Sequence, residues 1–570
     1  MLSRRAVLHG GLGALASGFL PLPRRLTAAG PPTGFDPGRV AFPPGAPFVR
    51  VSAQPAVRLV DGVPFAVGLT GEPYPDPHLR FPEAGVWFPP DRPPTPTEEV
   101  SIAVVGGGIS GLSTAHMLRA HKPVLLELNR SFGGSARGEW WGNVPYALGS
   151  AYVITPDSGS VLEEIYQSLG LHEMYRLDAG VSEIELAGEV LQERFWSGAA
   201  APPGDQKAFD RYAEVVRFMA ERSYPEIPVD PGPGGDWVRE LDAVTFKNDV
   251  ETRMGMPAPP LLAAAVQAYC YSSFGAGWEE ISAASGWNFL AAEEFGRWVF
   301  PGGNAQMAYQ FYRQLAEADA AGPDRLRAGA LVVDVRLVPR GVQVTWVDSA
   351  DELHALVAQR VVMACPKNVC RRVLHDAERL DPEKFEAMHQ IHHAGYVVAN
   401  ILLNAPIERD FYDIFLLRDG DFPTDAVEAE ESAKVVDMLN GRFALGATPG
   451  ARSVLTLYWP LPWAFGQHTL LLGEQTWENY AQRLVPQVRR MLRLLDVGLS
   501  DIDHVRMTYF GHAMPVATPG FIANGAAELV RRPIEDKIFF VQQDNWALPA
   551  IENCLLDAHH FAPQIAAGLP

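Results

Sequence analysis

The stretch VSIAVVGGGISGLSTAHML, Val100 to Leu118, constrains the fold more than any other part of this chain. An almost unbroken apolar, β-branched run of this length reads as a parallel strand buried on both faces. It passes into Gly106, Gly108 and Gly111, at the G-x-G-x-x-G spacing that joins such a strand to a helix. Each glycine has its own task. Gly106 permits the tight turn, Gly108 lets the backbone approach a pyrophosphate, and Gly111 lets the helix lie on the strand. The helix start, with Ile109 and Ser110, then offers free N–H groups to the anion. On this spacing alone, a merely glycine-rich turn is the alternative.

The next segment narrows the choice. KPVLLELNRSFGG, from Lys122, is a second buried strand that ends on Glu127, sixteen residues beyond Gly111. An acid there can accept hydrogen bonds from an adenosine ribose. Gly133-Gly134 follows six residues later, with Arg137 just beyond. A Gly-Gly at this distance from the ribose acid resembles the FAD-dependent amine oxidases and their relatives. That resemblance implies FAD as cofactor and an α/β fold: a Rossmann-like FAD-binding domain interleaved with a mixed α+β substrate domain.

With 570 residues, 47% of them hydrophobic, the chain can bury a core large enough for two interleaved domains. Its net charge of −20 argues against nucleic acid and against an anionic membrane surface as partner. Solubility alone accounts for that acidity, and a cationic substrate is compatible with it. The N-terminus sets Ser3-Arg4-Arg5 before a short glycine-containing apolar run and the small residues Leu26 to Ala29, the layout of a twin-arginine export signal. The run is too short and weak for a membrane span. Periplasmic or secreted localisation follows as an expectation. The four cysteines, Cys270, Cys365, Cys370 and Cys554, form no C-x-x-C pair and read as buried free thiols, with no metal site expected from them or from the scattered histidines.

Residues 1–29 are thus expected to be the signal. The proline-rich 30–98 are expected to be an extended arm over the surface, anchored by aromatics such as Phe81, Trp87 and Phe88. The cofactor domain is expected from 99–154, 296–370 and 510–570, and the substrate domain from 155–295 and 371–509. The resemblance carries through several short segments. Gly149-Ser150 matches a tight turn beside the flavin. FPGGNA, from Phe300, is similar to a segment of spermidine dehydrogenases. Val332 matches a valine that touches adenine. Asp544 and Glu552, after the strand Ile538 to Val541, match the last FAD motif, although the common sequence there is Ala-Gly-Glu.

The candidate catalytic residues are Asn400, His512 and Trp546. Many amine oxidases carry a lysine in a strand that aligns with AGYVVANILL, where this chain offers Asn400 and no lysine between Lys384 and Lys434. An electron acceptor other than oxygen is therefore expected, with a small-molecule substrate. Three readings stand: an exported amine or polyamine dehydrogenase, a desaturase or isomerase of an apolar substrate, and a non-catalytic flavoprotein subunit.

Overall fold

Two large sheets, set by the alternation of side chains along their strands, frame the molecule. The computed structural model describes residues 42–51, 55–72, 87–179, 183–191, 193–318, 324–418, 435–446, 450–463 and 474–569. The twin-arginine segment with Arg4 and Arg5, and the anchor Phe81, lie outside the described residues.

In the first sheet, strand Glu98–Val105 runs parallel to Val124–Glu127 on one side and to Leu353–Met363 on the other. Leu326–Ala328 extends it beyond Val124–Glu127, and Ile538–Phe540 joins it beside Val361 to Met363. Ile102 and Val104 face the helices Ile109–Met117, Ala305–Ala318 and Ile551–Ala566. Ala103 and Val105 face the opposite layer, which includes Val335, Val344 and Cys370. Both faces are buried, which is why the strand reads as one continuous apolar run.

Among the described residues, the second sheet has nine strands. Its inner order runs Asp413–Arg418, Asp437–Asn440, Ser453–Leu461, His393–Leu403, Ile502–Pro515, Val63–Gly71. Val397, Ala399 and Ile401 pack with Trp477, Tyr480 and Leu484 of the helix Glu474–Leu494. The intervening Tyr396 and Val398 line a cavity on the other face. Helices Pro260–Phe274 and Ala283–Leu290 supply the cavity's opposite wall.

The arm expected at 30–98 needs correction. Phe48–Arg50 pairs in parallel with Gly138–Trp141, and Val63–Gly71 is an inner strand of the nine-stranded sheet, parallel to Ile502–Pro515. The cause is local. Asp61 and Gly62 both have positive φ, 45° and 79°, and join Val57–Val60 to Val63–Gly71 as a two-residue hairpin. Pro64, the second residue of Val63–Gly71, stands opposite Leu59 and does not interrupt that pairing. Phe88 is buried against Leu331, Val333 and Val347, with Trp87 packed beside it.

Lys384 locks one helix contact in this frame. Its Nζ donates to the carbonyls of Leu529 and Val530 at 2.6 and 3.0 Å and lies 4.2 Å from the centre of the Phe540 ring. Burial, and then the charge of Lys367, push its pKa down to about 7. The unfolded ammonium titrates near 10.4, about the usual lysine value. Between the two values the unfolded chain binds more protons, so this group makes stability rise with pH across that window and leaves it flat below. Relative to Lys384→Met, the urea midpoint of the native chain should therefore climb from about pH 7 to about pH 10.

The glycine turn gives a sharper test. A Cβ on Gly111 would run into the carbonyl oxygen of Gly106, whereas one on Gly108 would meet only the Gly134 Cα, at 3.8 Å. Gly111→Val should lower the melting temperature of the cofactor-free protein. Gly108→Val should leave that temperature almost unchanged and abolish retention of the expected dinucleotide, as read by absorbance after desalting.

Candidate active site

A cavity of about 310 Å³ opens at the C-terminal edge of the first sheet. Its wall includes Gly106, Gly108, Ile109, Ser110, Glu127, Gly133, Gly134, Arg137 and Val332, while Gly111 stands behind it against the strand. Glu127 is fixed before any ligand arrives. Its Oε2 accepts from the Gly107 N–H at 2.6 Å, and its Oε1 from the backbone and side-chain nitrogens of Asn129, both at 2.7 Å. The helix Ile109–Met117 has no side-chain cap on its N-terminus, which leaves first-turn N–H groups for an anion. Arg137 donates Nε to the Gly134 carbonyl at 2.9 Å and Nη2 to the Gly71 carbonyl at 2.5 Å. A pyrophosphate at the turn, with a ribose toward Glu127, fits this cradle and the open space above Gly108.

The former arm contributes to it. Glu72 lines the cavity, accepts from the Gly511 N–H at 3.0 Å and lies 3.6 Å from Nδ1 of His512. Burial would raise its carboxyl, but hydrogen bonding and charge from His512, with the backbone N–H groups, hold it below the ordinary value. No pattern in the sequence singles out Glu72, because its partners come from residues 440 positions away.

A second cavity, of about 840 Å³, shares Ser135, Phe510, Ala513, Gln543 and Ile551 with the first. The two are continuous there. Tyr152, Tyr396, Val398, Phe415 and Tyr458 form part of the larger wall, with Glu293, Arg297, Asp413 and Asp437 among them. Arg297 begins the central strand of the small antiparallel sheet, between Tyr152–Ile154 and Arg176–Asp178. Burial would lower its pKa, yet the carboxylates of Asp413, Glu293 and Asp178 hold the guanidinium firmly charged. Burial raises the carboxyls of Glu293 and Asp413 against the opposing pull of Arg297.

The expected site residues divide between these places. His512 is on the smaller cavity, its ring 5.7 Å from that of His393. Gly149, Ser150, Trp546 and Glu552 line the larger cavity instead of the cradle. The Trp546 indole is turned to Asp557 Oδ1 at 3.3 Å, and Glu552 accepts from the Ile154 N–H at 2.9 Å. Two expectations are corrected. Asp544 lines neither cavity: its Oδ2 accepts from the Lys367 N–H at 2.7 Å and lies 3.0 Å from Nε2 of the buried His393. The 3-10 turn Gln543–Trp546 directs Gln543 to the cavity junction and Asp544 into the core. Asn400 also lines neither cavity. It shares the cavity-side alternation of Tyr396 and Val398 but lies farther along the strand, where its amide donates to the Ala147 carbonyl at 3.3 Å and accepts from Thr456 Oγ1 at 2.7 Å. It is thus a tie between strands. The four cysteines are free and buried, and the sulfurs of Cys365 and Cys370 stand 3.7 Å apart.

Comparison with known proteins agrees with this architecture. Residues 104–169 match the family of NAD(P)-binding Rossmann-like domains. Oxidoreductase PigB from a Serratia species is 22% identical over an alignment that covers 91% of this chain and 84% of that protein. Putrescine oxidase, in a structure bound to putrescine, superposes with a TM-score of 0.59 at 18% identity, over 83% of this chain and all of that one. A fatty acid isomerase from P. acnes that produces CLA gives a TM-score of 0.55 at 14% identity, over 81% of this chain and 98% of that one. The chain contains an NAD(P)-binding Rossmann-like domain, is a homologue of an oxidoreductase, and has the fold of the flavin amine oxidases.

Proposed function

We propose that this chain is an FAD-dependent dehydrogenase of an amine or polyamine, exported by the twin-arginine route. The observation that carries the reading is the continuity of the dinucleotide cradle with a large, partly acidic cavity at Ser135, Phe510, Ala513, Gln543 and Ile551. Bound FAD would supply the two-electron acceptor. The rest falls to the chain. Glu127 and the glycine turn would hold the nucleotide half, with Arg137 beside them. The aromatic and aliphatic wall that includes Val398 and Phe510 would limit water around a bound substrate, and a neutral amine there needs positioning more than a strong base.

The choice of acceptor rests on the absence of lysine. Among the described residues, neither cavity has a lysine in its wall, and Lys367, buried behind Pro366, lies on neither. Among the described residues, no ammonium on either cavity wall is therefore poised to stabilise a developing oxygen anion. Export is supported by Arg4 and Arg5 before the weak apolar run, in a chain that has to load a cofactor before leaving the cytoplasm.

A second reading, isomerisation or desaturation of an apolar substrate, is favoured by the likeness to the fatty acid isomerase. Asp437 opposes it, because an acyl chain would cover its unpaired carboxyl oxygen without offering a partner.

Purified protein should be yellow, and anaerobic addition of an amine should bleach the flavin band. Bleaching by no amine, with flavin bound, would sink the amine reading. In stopped flow, an artificial quinone should reoxidise the reduced protein far faster than air-saturated buffer does; a rate in air equal to turnover with the best dye would make it an oxidase. Replacing both Arg4 and Arg5 by lysine should leave yellow protein in the cytoplasm, and continued export of that variant would refute the route.

A further inference from the structure

Around Arg297, the wall of the larger cavity holds an acid that this guanidinium does not hydrogen-bond. Arg297 donates Nε to Asp178 Oδ2 at 2.9 Å and its two terminal nitrogens to Asp413 at 2.6 and 3.1 Å, and Nη1 lies 3.3 Å from Glu293 Oε2. Tyr152 and Tyr269 both donate to Glu293 Oε1 at 3.1 Å. Asp437 is left out. Ser272 Oγ reaches its Oδ2 only at 3.4 Å, and its Oδ1 has no hydrogen-bond partner, although the residue is 4% exposed. Burial, and then the charge of Asp413, raise its carboxyl well above the ordinary range.

A buried carboxyl oxygen without a hydrogen-bond partner is costly. Its surroundings suit a cation. Tyr396 and Tyr458, edge to face at 5.5 Å, line the same wall, and aromatic rings of this kind attract a positive group.

The sheet register sets its distance from the cofactor end. Asp437 is opposite Tyr458, Tyr458 opposite Val398, and Val398 opposite Thr508, on the strand whose Phe510 stands at the cavity junction. Three strand spacings separate Asp437 from that strand, about 14 Å. A cation held at Asp437 is therefore not attached to the carbon that reacts at the junction.

We infer that Asp437 anchors a second, positively charged nitrogen of an elongated substrate whose reacting end lies at the junction near Phe510 and Gln543. This rests on the amine reading above, and it adds the requirement for two nitrogens separated by an extended chain.

The test uses the FAD-loaded protein and two probes of equal length, α,ω-diaminooctane and n-octylamine, with binding read anaerobically from the flavin spectrum. The diamine should bind about ten- to a hundredfold more tightly, the range for a hydrogen bond to a buried charge. Asp437→Asn, checked for flavin content and melting temperature, should lose that preference, and Asp437→Glu should recover part of it. Equal affinity of the two probes for the native protein, or a preference that survives in Asp437→Asn, overturns the anchor and leaves the amine reading standing. Failure of both probes to perturb bound flavin overturns both. If Asp437→Asn does not fold, a series of shorter diamines on the native protein decides: the preference should fall as the chain becomes too short to span the cavity, and a preference independent of length refutes the anchor.

Discussion

The backbone pairing of the single strand Leu353–Met363 is the constraint on which the rest of the structure depends. One edge of this strand pairs along its length with Glu98–Val105, and the other is shared between Gly341–Val347 and Ile538–Phe540. The glycine turn, the meander that carries Val332 and the C-terminal helix are thereby brought to one sheet edge. Without that shared strand, Gly108 and Gln543 would belong to unrelated surfaces. Each ladder is ordinary in strength; the effect lies in three distant segments having one common partner.

The cofactor cradle was largely legible in the sequence because its signals are local. Strand, turn, helix and acid fall within about thirty residues, a βαβ unit, so spacing alone carries geometry. The substrate side was legible only in part. Resemblance to the amine-oxidase lysine singled out Asn400, but its position along the strand, and hence its distance from the cavity, depends on pairing with Thr456 and Arg506, which no local pattern specifies. Asp544 failed by a single residue, because a 3-10 turn rotates successive side chains by about a third of a turn. The hairpin at Asp61-Gly62 was available to pattern reading and was obscured by the prolines around it.

The acid cluster shows why the substrate wall resists sequence reading most. Asp178, Glu293, Arg297, Asp413 and Asp437 come from four separate stretches of chain, each unremarkable in its neighbourhood. Their chemistry arises when antiparallel pairing of Arg297 with Asp178 sets one guanidinium among several carboxyls. An excess of buried acid over base can be recognised only after topology is known.

Shared lining of the smaller cavity has a consequence for biosynthesis. Its wall runs from Glu72 and Gly106 to Ile551 and Cys554, so the ribosome has to pass residue 554 before the cradle can close. An N-terminal unit emerging first would expose the edges of Glu98–Val105 and Val124–Glu127 without the partner strands that flank them. Cofactor capture must then follow synthesis of the helix Ile551–Ala566, and the nascent protein needs protection of those edges until that point.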